Sequence, residues 1–149
     1  MLIKIDISKA YDKLSWKYME KILSVYGFSR EWVEWVMDLV TTPFFSILLN
    51  VSSTKPFKPS WGITQGDPMS HFLFILMVDG MSKLIQTHAI GGEIRGLSLH
   101  EGMEKQTHWQ FMDDTMLMGH SSIQEARYFK KSLTLFAKAS GIEVNAKKF

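Results

Sequence analysis

Residues 108–120 read HWQFMDDTMLMGH, and two adjacent aspartates, Asp113 and Asp114, stand there between two strongly apolar segments. Neighbouring like charges repel and a carboxylate taken out of water is costly, so this stretch demands a counter-charge. The flanks THWQFM and TMLMGH read as two strands, which predicts a hairpin with both carboxylates at its tip. By itself an Asp-Asp pair is more often a plain solvated turn, because Asp favours such positions.

A second acidic site lies far upstream. Residues 2–7, LIKIDI, alternate apolar and polar and are rich in Ile, which predicts a strand that ends at Asp6 or Ile7. If this strand neighbours the hairpin in one sheet, Asp6, Asp113 and Asp114 converge, and the counter-charge is most simply a pair of hard divalent cations. Magnesium suits such a site, because it takes oxygen ligands and binds through one or two carboxylates plus substrate phosphates. Two such ions ~3.5–4 Å apart form the clamp used for in-line phosphoryl displacement in polymerases and nucleases. His108 and His120 flank the pair, but nitrogen ligands suit zinc or iron better, so both read as surface or hairpin residues.

The remaining segments supply helices and short strands. Ser15 caps a helix over 16–26 with Trp16, Met19, Ile22, Leu23 and Tyr26 on one face and Gly27 as its stop. Ser29 caps a second over 30–42, striped by Trp32, Val33, Val36, Leu39 and Val40; Trp16, Trp32 and Trp35 fall at helical spacing and read as core. FFSILLN and KPFKPS predict two short strands around the turn NVSST, followed by the irregular stretch WGITQGDPMS. A largely apolar helix over 71–88 leads to a weak strand, EIRGLSL, at 93–99, and Ser122 with Glu125 forms a capping box for a last helix that Gly141 ends before IEVNAKKF. The order β-α-α-β-β-α-β-β-β-α-β makes a single α+β domain over residues 1–149, with helices on one face of a largely antiparallel sheet.

Composition excludes several classes. With 149 residues, 46% apolar and 21% charged, the chain is one globular domain long, and a net charge of +2 is too small to argue for a nucleic-acid partner alone. The absence of cysteine rules out disulfides, thiolate-bound zinc and cysteine nucleophiles, and points to an intracellular reducing compartment, nuclear or cytoplasmic. The longest unbroken apolar run, FLFILMV, is far short of the ~20 residues of a membrane span, and the N-terminus has no signal-peptide pattern. The abrupt opening on a buried-looking strand suggests a fragment.

Four ordered stretches then agree with one family. KIDISKAYDKLSW, QGDPMS, FMDD and SGIEVNAKK resemble, in order, motifs of the palm domain of reverse transcriptases, specifically those of non-long-terminal-repeat (LINE-type) retrotransposons as found in plant genomes. The resemblance spans essentially the whole chain. It implies a polymerase palm-type fold with fingers and thumb largely absent, and RNA-directed DNA synthesis with two Mg2+ ions, for which Mn2+ can substitute. An RNA template, a DNA primer and deoxynucleoside triphosphates are the implied partners, with no membrane and no small-molecule cofactor beyond the metal. Asp6 and Asp113 become the principal catalytic metal ligands, with Asp114 supporting them. Tyr11 falls at the steric-gate position against a ribose 2'-hydroxyl, Gln65 and Gly66 at the turn against the nucleotide and template, and Lys148 at a lysine facing the triphosphate. Asp12 reads instead as a helix brace, and Trp61 and Trp109 as either core or base-stacking positions.

The chain also departs from the family pattern. Two positions that usually carry arginine before the Gln-Gly are Trp61 and Thr64, the usual proline after the serine is His71, and Met112 stands in the Ala position of the Asp-Asp box. Gln110 interrupts an apolar strand and needs a partner if buried. Weak or no activity of the chain alone is therefore the expectation, and the rival reading is a non-catalytic retroelement remnant, at most a nucleic-acid-binding module. A palm-type polymerase of RNA viruses is disfavoured by Tyr11 and by FMDD, where such enzymes usually carry Gly before the aspartates.

Overall fold

The computed structural model describes residues 1–149 except Leu99, Glu101, Met112 and 146–149, and all their side chains but those of Ser8 and Asn145. Strand β1 (Leu2–Ser8) turns Ile3, Ile5 and Ile7 to one side and Lys4 and Asp6 to the other, as the two-residue period requires. Ile5 and Ile7 are buried, and burial of such a side chain stabilises by roughly 1.5–3 kcal/mol. The downstream strands β4 (His108–Phe111), β5 (Asp114–Met118) and β6 (Glu143–Asn145) complete an antiparallel sheet in the order β4-β5-β1-β6. Strand β1 thus takes both its partners from the second half of the chain.

Helices cover the isoleucine face. Between β1 and the first long helix lies one short turn, α1 (Ala10–Lys13), absent from the sequence-based order and entered through Lys9 in the left-handed region at φ 51°. Ser15 accepts a hydrogen bond from Tyr18 N at 3.4 Å to start α2 (Trp16–Val25), and Ser29 accepts one from Trp32 N at 3.3 Å to start α3 (Arg30–Thr41). The central helix α4 (Pro68–Ile90) and the last helix α5 (Ile123–Ser140) pack against each other and against α2. Met19, Leu23, Leu73, Phe74, Met77, Met81, Phe129 and Phe136 meet Ile5, Ile7 and Leu117 in one core.

Several expectations are corrected. The helix predicted from residue 71 begins at Pro68, because Asp67 caps it and Pro is preorganised for the first helical position. By length and composition α4 would serve as a membrane span, which the search for an unbroken apolar run missed, yet here Leu73, Phe74, Met77, Met81 and Ile85 bury it as the core helix. Of the strands predicted around NVSST, FFSILLN shrinks to β2 (Leu48–Leu49) and KPFKPS makes only a bridge from Phe57 to Phe45; β3 (Ser52–Ser53) lies inside the predicted turn, because Asn50 and Val51 both adopt positive φ and close a two-residue turn earlier. Among the described residues of the predicted strand, 93–98, none forms a strand, only a bridge between Leu97 and Gln106; Leu99 lies outside the described residues. Trp35 and Leu39 are 66% and 62% exposed rather than core, because the buried stripe of α3 narrows to Val33 and Val36. The reciprocal half of the capping box is also absent: buried Glu125 accepts from His120 N, not from Ser122 N.

The segment that leads into α4 is tied down through its backbone. Residues 61–66 are held to the α1–α2 segment by Gly62 N donating to Leu14 O and Ile63 N to Tyr11 O, both at 2.8 Å, and by Trp16 Nε1 donating to Gly62 O at 2.6 Å. Gly62 has φ +85°, and a Cβ there would meet Tyr11 O at 2.8 Å and Asp12 O at 2.9 Å. Gly62→Ala is expected to cost roughly 2–4 kcal/mol from left-handed strain plus a backbone clash. Urea unfolding measures it, and an unchanged midpoint would contradict the close approach.

Candidate functional site

The register of β1 on β5 brings the acidic residues together. Asp6 lies directly across from Asp114, and Ile7 N donates to the Asp113 carbonyl at 3.1 Å. Asp114 opens β5 instead of sitting in the turn, since it pairs with Asp6 on one side and Phe111 on the other. The protein's own counter-charge is Lys4, whose Nζ donates to Asp114 Oδ2 at 2.9 Å. The hydrogen bond and charge of Asp114, then the charges of Asp6 and Asp113, hold this ammonium above its ordinary value. Lys4 escaped the sequence reading, although the signal was present: two residues before Asp6, it shares that residue's face of the strand.

Beside this sheet end opens a cleft of about 540 Å³ lined by Tyr11, Gln65, Gly66, Asp67, Pro68, His71 and Asp113. Four of the residues singled out from the sequence, 11, 65, 66 and 113, therefore share one cleft, although they come from three separate stretches. Asp6 and Asp114 stand on the adjacent sheet face and are not among the lining residues described. Asp67 closes the cleft's α4 end by accepting from Met69 N at 3.0 Å, and Gly66 holds φ +88° with open space where a Cβ would be. The Tyr11 ring stacks on Phe74 at 4.7 Å, and its hydroxyl meets His71 Nδ1 at 3.3 Å. Burial, then the charge of Asp113, raises the Tyr11 pKa, so the hydroxyl keeps its proton at neutral pH.

The donor set is all hard oxygen, the chemistry magnesium takes. Among the described residues no group of three or more His, Asp or Glu is arranged to hold a metal ion, and the Asp114 carboxylate is paired with Lys4. Asp6 and Asp113 nevertheless fit the magnesium habit of one or two carboxylates completed by substrate phosphates. Lys148 and Met112 lie outside the described residues. Trp61 and Thr64 are exposed and line a second cleft, of about 510 Å³, with Asp12 and Lys58. Trp109 is 51% exposed on the Asp114 face of the sheet, and Gln110 is half satisfied: Ser82 Oγ donates to its Oε1 at 2.9 Å, while its buried Nε2 has no partner among the described residues.

A family model described as reverse transcriptase (RNA-dependent DNA polymerase) matches residues 1–149. The retrovirus-related Pol polyprotein from the type-2 retrotransposable element R2DM of Drosophila melanogaster is 26% identical over 99% of this chain, which spans 13% of that protein's length. A transposon TX1 protein of 149 kDa from Xenopus laevis is 23% identical over 96% of this chain and 10% of its own. An uncharacterized mitochondrial protein of Arabidopsis thaliana is 37% identical over 48% of this chain and 59% of its own. Among solved structures, telomerase from Candida albicans, in complex with a TWJ fragment of telomeric RNA, superposes with a TM-score of 0.74 at 13% identity over 99% of this chain and 27% of its own. Telomerase from Candida tropicalis, in complex with the same kind of fragment, gives 0.72 at 15% identity over 99% of this chain and 25% of its own. These likenesses establish the fold as that of the telomerase palm region.

His108, on the strand leading to the aspartates, is half-buried, with Nδ1 3.0 Å from Thr107 Oγ1. Burial depresses its pKa below 6.5 and the Asp79 charge only partly restores it. A base whose folded pKa is lowered contributes stability that is present above the unfolded pKa and lost as pH falls through the folded one. The urea midpoint is expected to drop as pH falls below about 6.5, and His108→Gln should flatten that part of the profile.

Proposed function

The chain belongs to the reverse transcriptase (RNA-dependent DNA polymerase) family, and from that premise we propose that its cleft binds a deoxynucleoside triphosphate beside a primer terminus for template-directed DNA synthesis. The observation that carries this reading is the gathering of Tyr11, Gln65, Gly66 and Asp113 around one cleft, with Asp6 and Asp114 on the adjoining strand pair. A primer 3'-hydroxyl attacks the α-phosphorus, a new phosphodiester bond forms, and pyrophosphate leaves with the electron pair of the broken P–O bond.

Each group in the cleft has a task that its position supports. Asp6 and Asp113 would hold the divalent metal, and Asp114, tied to Lys4, would set the charge around them. Magnesium, when bound, supplies the Lewis-acid charge that favours attack and eases departure of pyrophosphate. The Tyr11 ring closes the sugar end of the cleft, where a ribose 2'-hydroxyl would collide with it. Gly66 in its left-handed turn lets backbone approach the nucleotide, and Gln65 beside it faces the template. Lys58, the one cation lining the neighbouring cleft among the described residues, stands where Trp61 and Thr64 bring no charge to the nucleic acid.

A second reading, a nucleic-acid-binding module without turnover, draws on the Lys4–Asp114 pair, which occupies one of the three carboxylates. Primer extension separates the two. On an RNA template with a DNA primer and magnesium, the chain is expected to incorporate deoxynucleotides only weakly. Asp113→Asn or Asp6→Asn should reduce this by more than about 100-fold, a loss that even an outer partner of a metal ligand can cause. Primer binding with no incorporation from a folded chain would favour the module instead.

A further inference from the structure

Tyr11 stands on a poor mount. Its helix, α1, is four residues long and is entered through left-handed Lys9, and one isolated turn has little stability of its own. The backbone is held at one point, where the Tyr11 carbonyl accepts from Ile63 N at 2.8 Å. The named contacts of its side chain are with α4: the ring lies on Phe74 with an interplanar angle of 23°, and the hydroxyl meets His71 Nδ1 at 3.3 Å. His71 and Phe74 are three residues apart and share one face of the helix.

Two cavities meet at His71. It lines the 540 Å³ cleft with Tyr11 and Asp113, and also an adjoining cavity of about 400 Å³ with Phe74, Ile75, Val78 and Phe111. An untethered Tyr11 ring sliding across Phe74 would have that second space to move toward. Stacking alone resists such sliding weakly, whereas a hydrogen bond at the hydroxyl fixes the far end of the ring. Because the Tyr11 hydroxyl stays protonated, it can donate to His71 Nδ1 in the tautomer that leaves this nitrogen bare.

We propose that His71 is a positioning residue that pins the Tyr11 ring and thereby sets how strongly the cleft rejects a ribonucleotide. This rests on the reading of the cleft as a nucleotide site. The side chain at 71 does not touch the reacting atoms; it acts through Tyr11. A proline at this position has no side-chain group able to bond the hydroxyl, so the tether belongs to this chain's own sequence.

Equilibrium binding of dATP and of ATP in the presence of magnesium tests the tether through the ratio of the two affinities, without recourse to turnover. His71→Leu is expected to lower the preference for dATP about five-fold, the effect of one neutral hydrogen bond. Tyr11→Phe should lower it equally, and the double variant no further, because both changes remove the same bond. His71→Asn, whose side chain can still accept the hydroxyl proton, should keep the wild-type ratio. His71 is exposed, so urea midpoints of these variants at that position should match the wild type. A ratio unmoved by His71→Leu, or additive losses in the double variant, overturns the tether and leaves the nucleotide cleft standing. A folded wild type that binds neither nucleotide overturns both.

Discussion

The antiparallel register that sets Asp6 across from Asp114 is the constraint on which the site depends. Residues pair along the whole of β1, from Met1 and Gly119, which exchange hydrogen bonds of 2.7 and 3.1 Å, to the Ile7 bond with the Asp113 carbonyl. Side chains alternate across a sheet, so a slip of one residue would turn Lys4 and Asp6 into the core and expel Ile5 and Ile7. That alternative is closed by packing: Ile5 and Leu117 are fully buried against α2, α4 and α5. The apolar face of β1 therefore decides where its acidic face stands, and the hydrophobic effect, not any attraction among carboxylates, assembles the acidic cluster.

Clustered carboxylates raise the problem that Lys4 answers. At 55% side-chain exposure, facing an Asp114 side chain at 50%, the pair is well solvated, and water screens most of the attraction in ion pairs of this kind. Lys4 therefore contributes little to the fold. Its effect is local, one positive charge among three negative ones, and it reduces their mutual repulsion while the strands pair. A pair so weak is also easily exchanged, and an exposed carboxylate held by it stays available to a stronger cation.

The sequence made the frame legible and hid the joints. Ser15, Ser29 and Ser122 marked three helix starts, and LIKIDI marked the central strand, because capping and two-residue alternation are local signals. The cleft residues 11, 65, 66 and 113 were found through motif resemblance, and the structure brings them together. What local pattern could not reveal are bonds between distant positions, such as Lys4 with Asp114 and Tyr11 with His71, 110 and 60 residues apart. EIRGLSL misled for the opposite reason. Its alternation is real, but Gly96 takes φ +67° and a Cβ there would lie 2.7 Å from Gln106 O, so the segment makes one close bridge and bends away. The wide stripe read on α3 failed because two apolar residues per turn exceed what its neighbours can cover, leaving Trp35 and Leu39 in solvent.

The two halves of the cleft are built on different principles, which decides how each tolerates change. Gln65 and Gly66 follow a segment fixed through its backbone, by the bonds of Gly62 and Ile63 to Leu14 and Tyr11, with the Trp16 ring and the buried Ile63 side chain adding a hold. Side chains at 61 and 64 point away from those bonds into an exposed cleft, so Trp61 and Thr64 alter its charge without moving residues 65 and 66. Tyr11 is the reverse case, a ring that contacts the side chains of His71 and Phe74 on α4. Drift in sequence therefore reaches the two halves differently. A backbone-held turn fails only where a glycine gains a Cβ, whereas a side-chain-held ring loosens with any change at positions 71 or 74 that removes a contact.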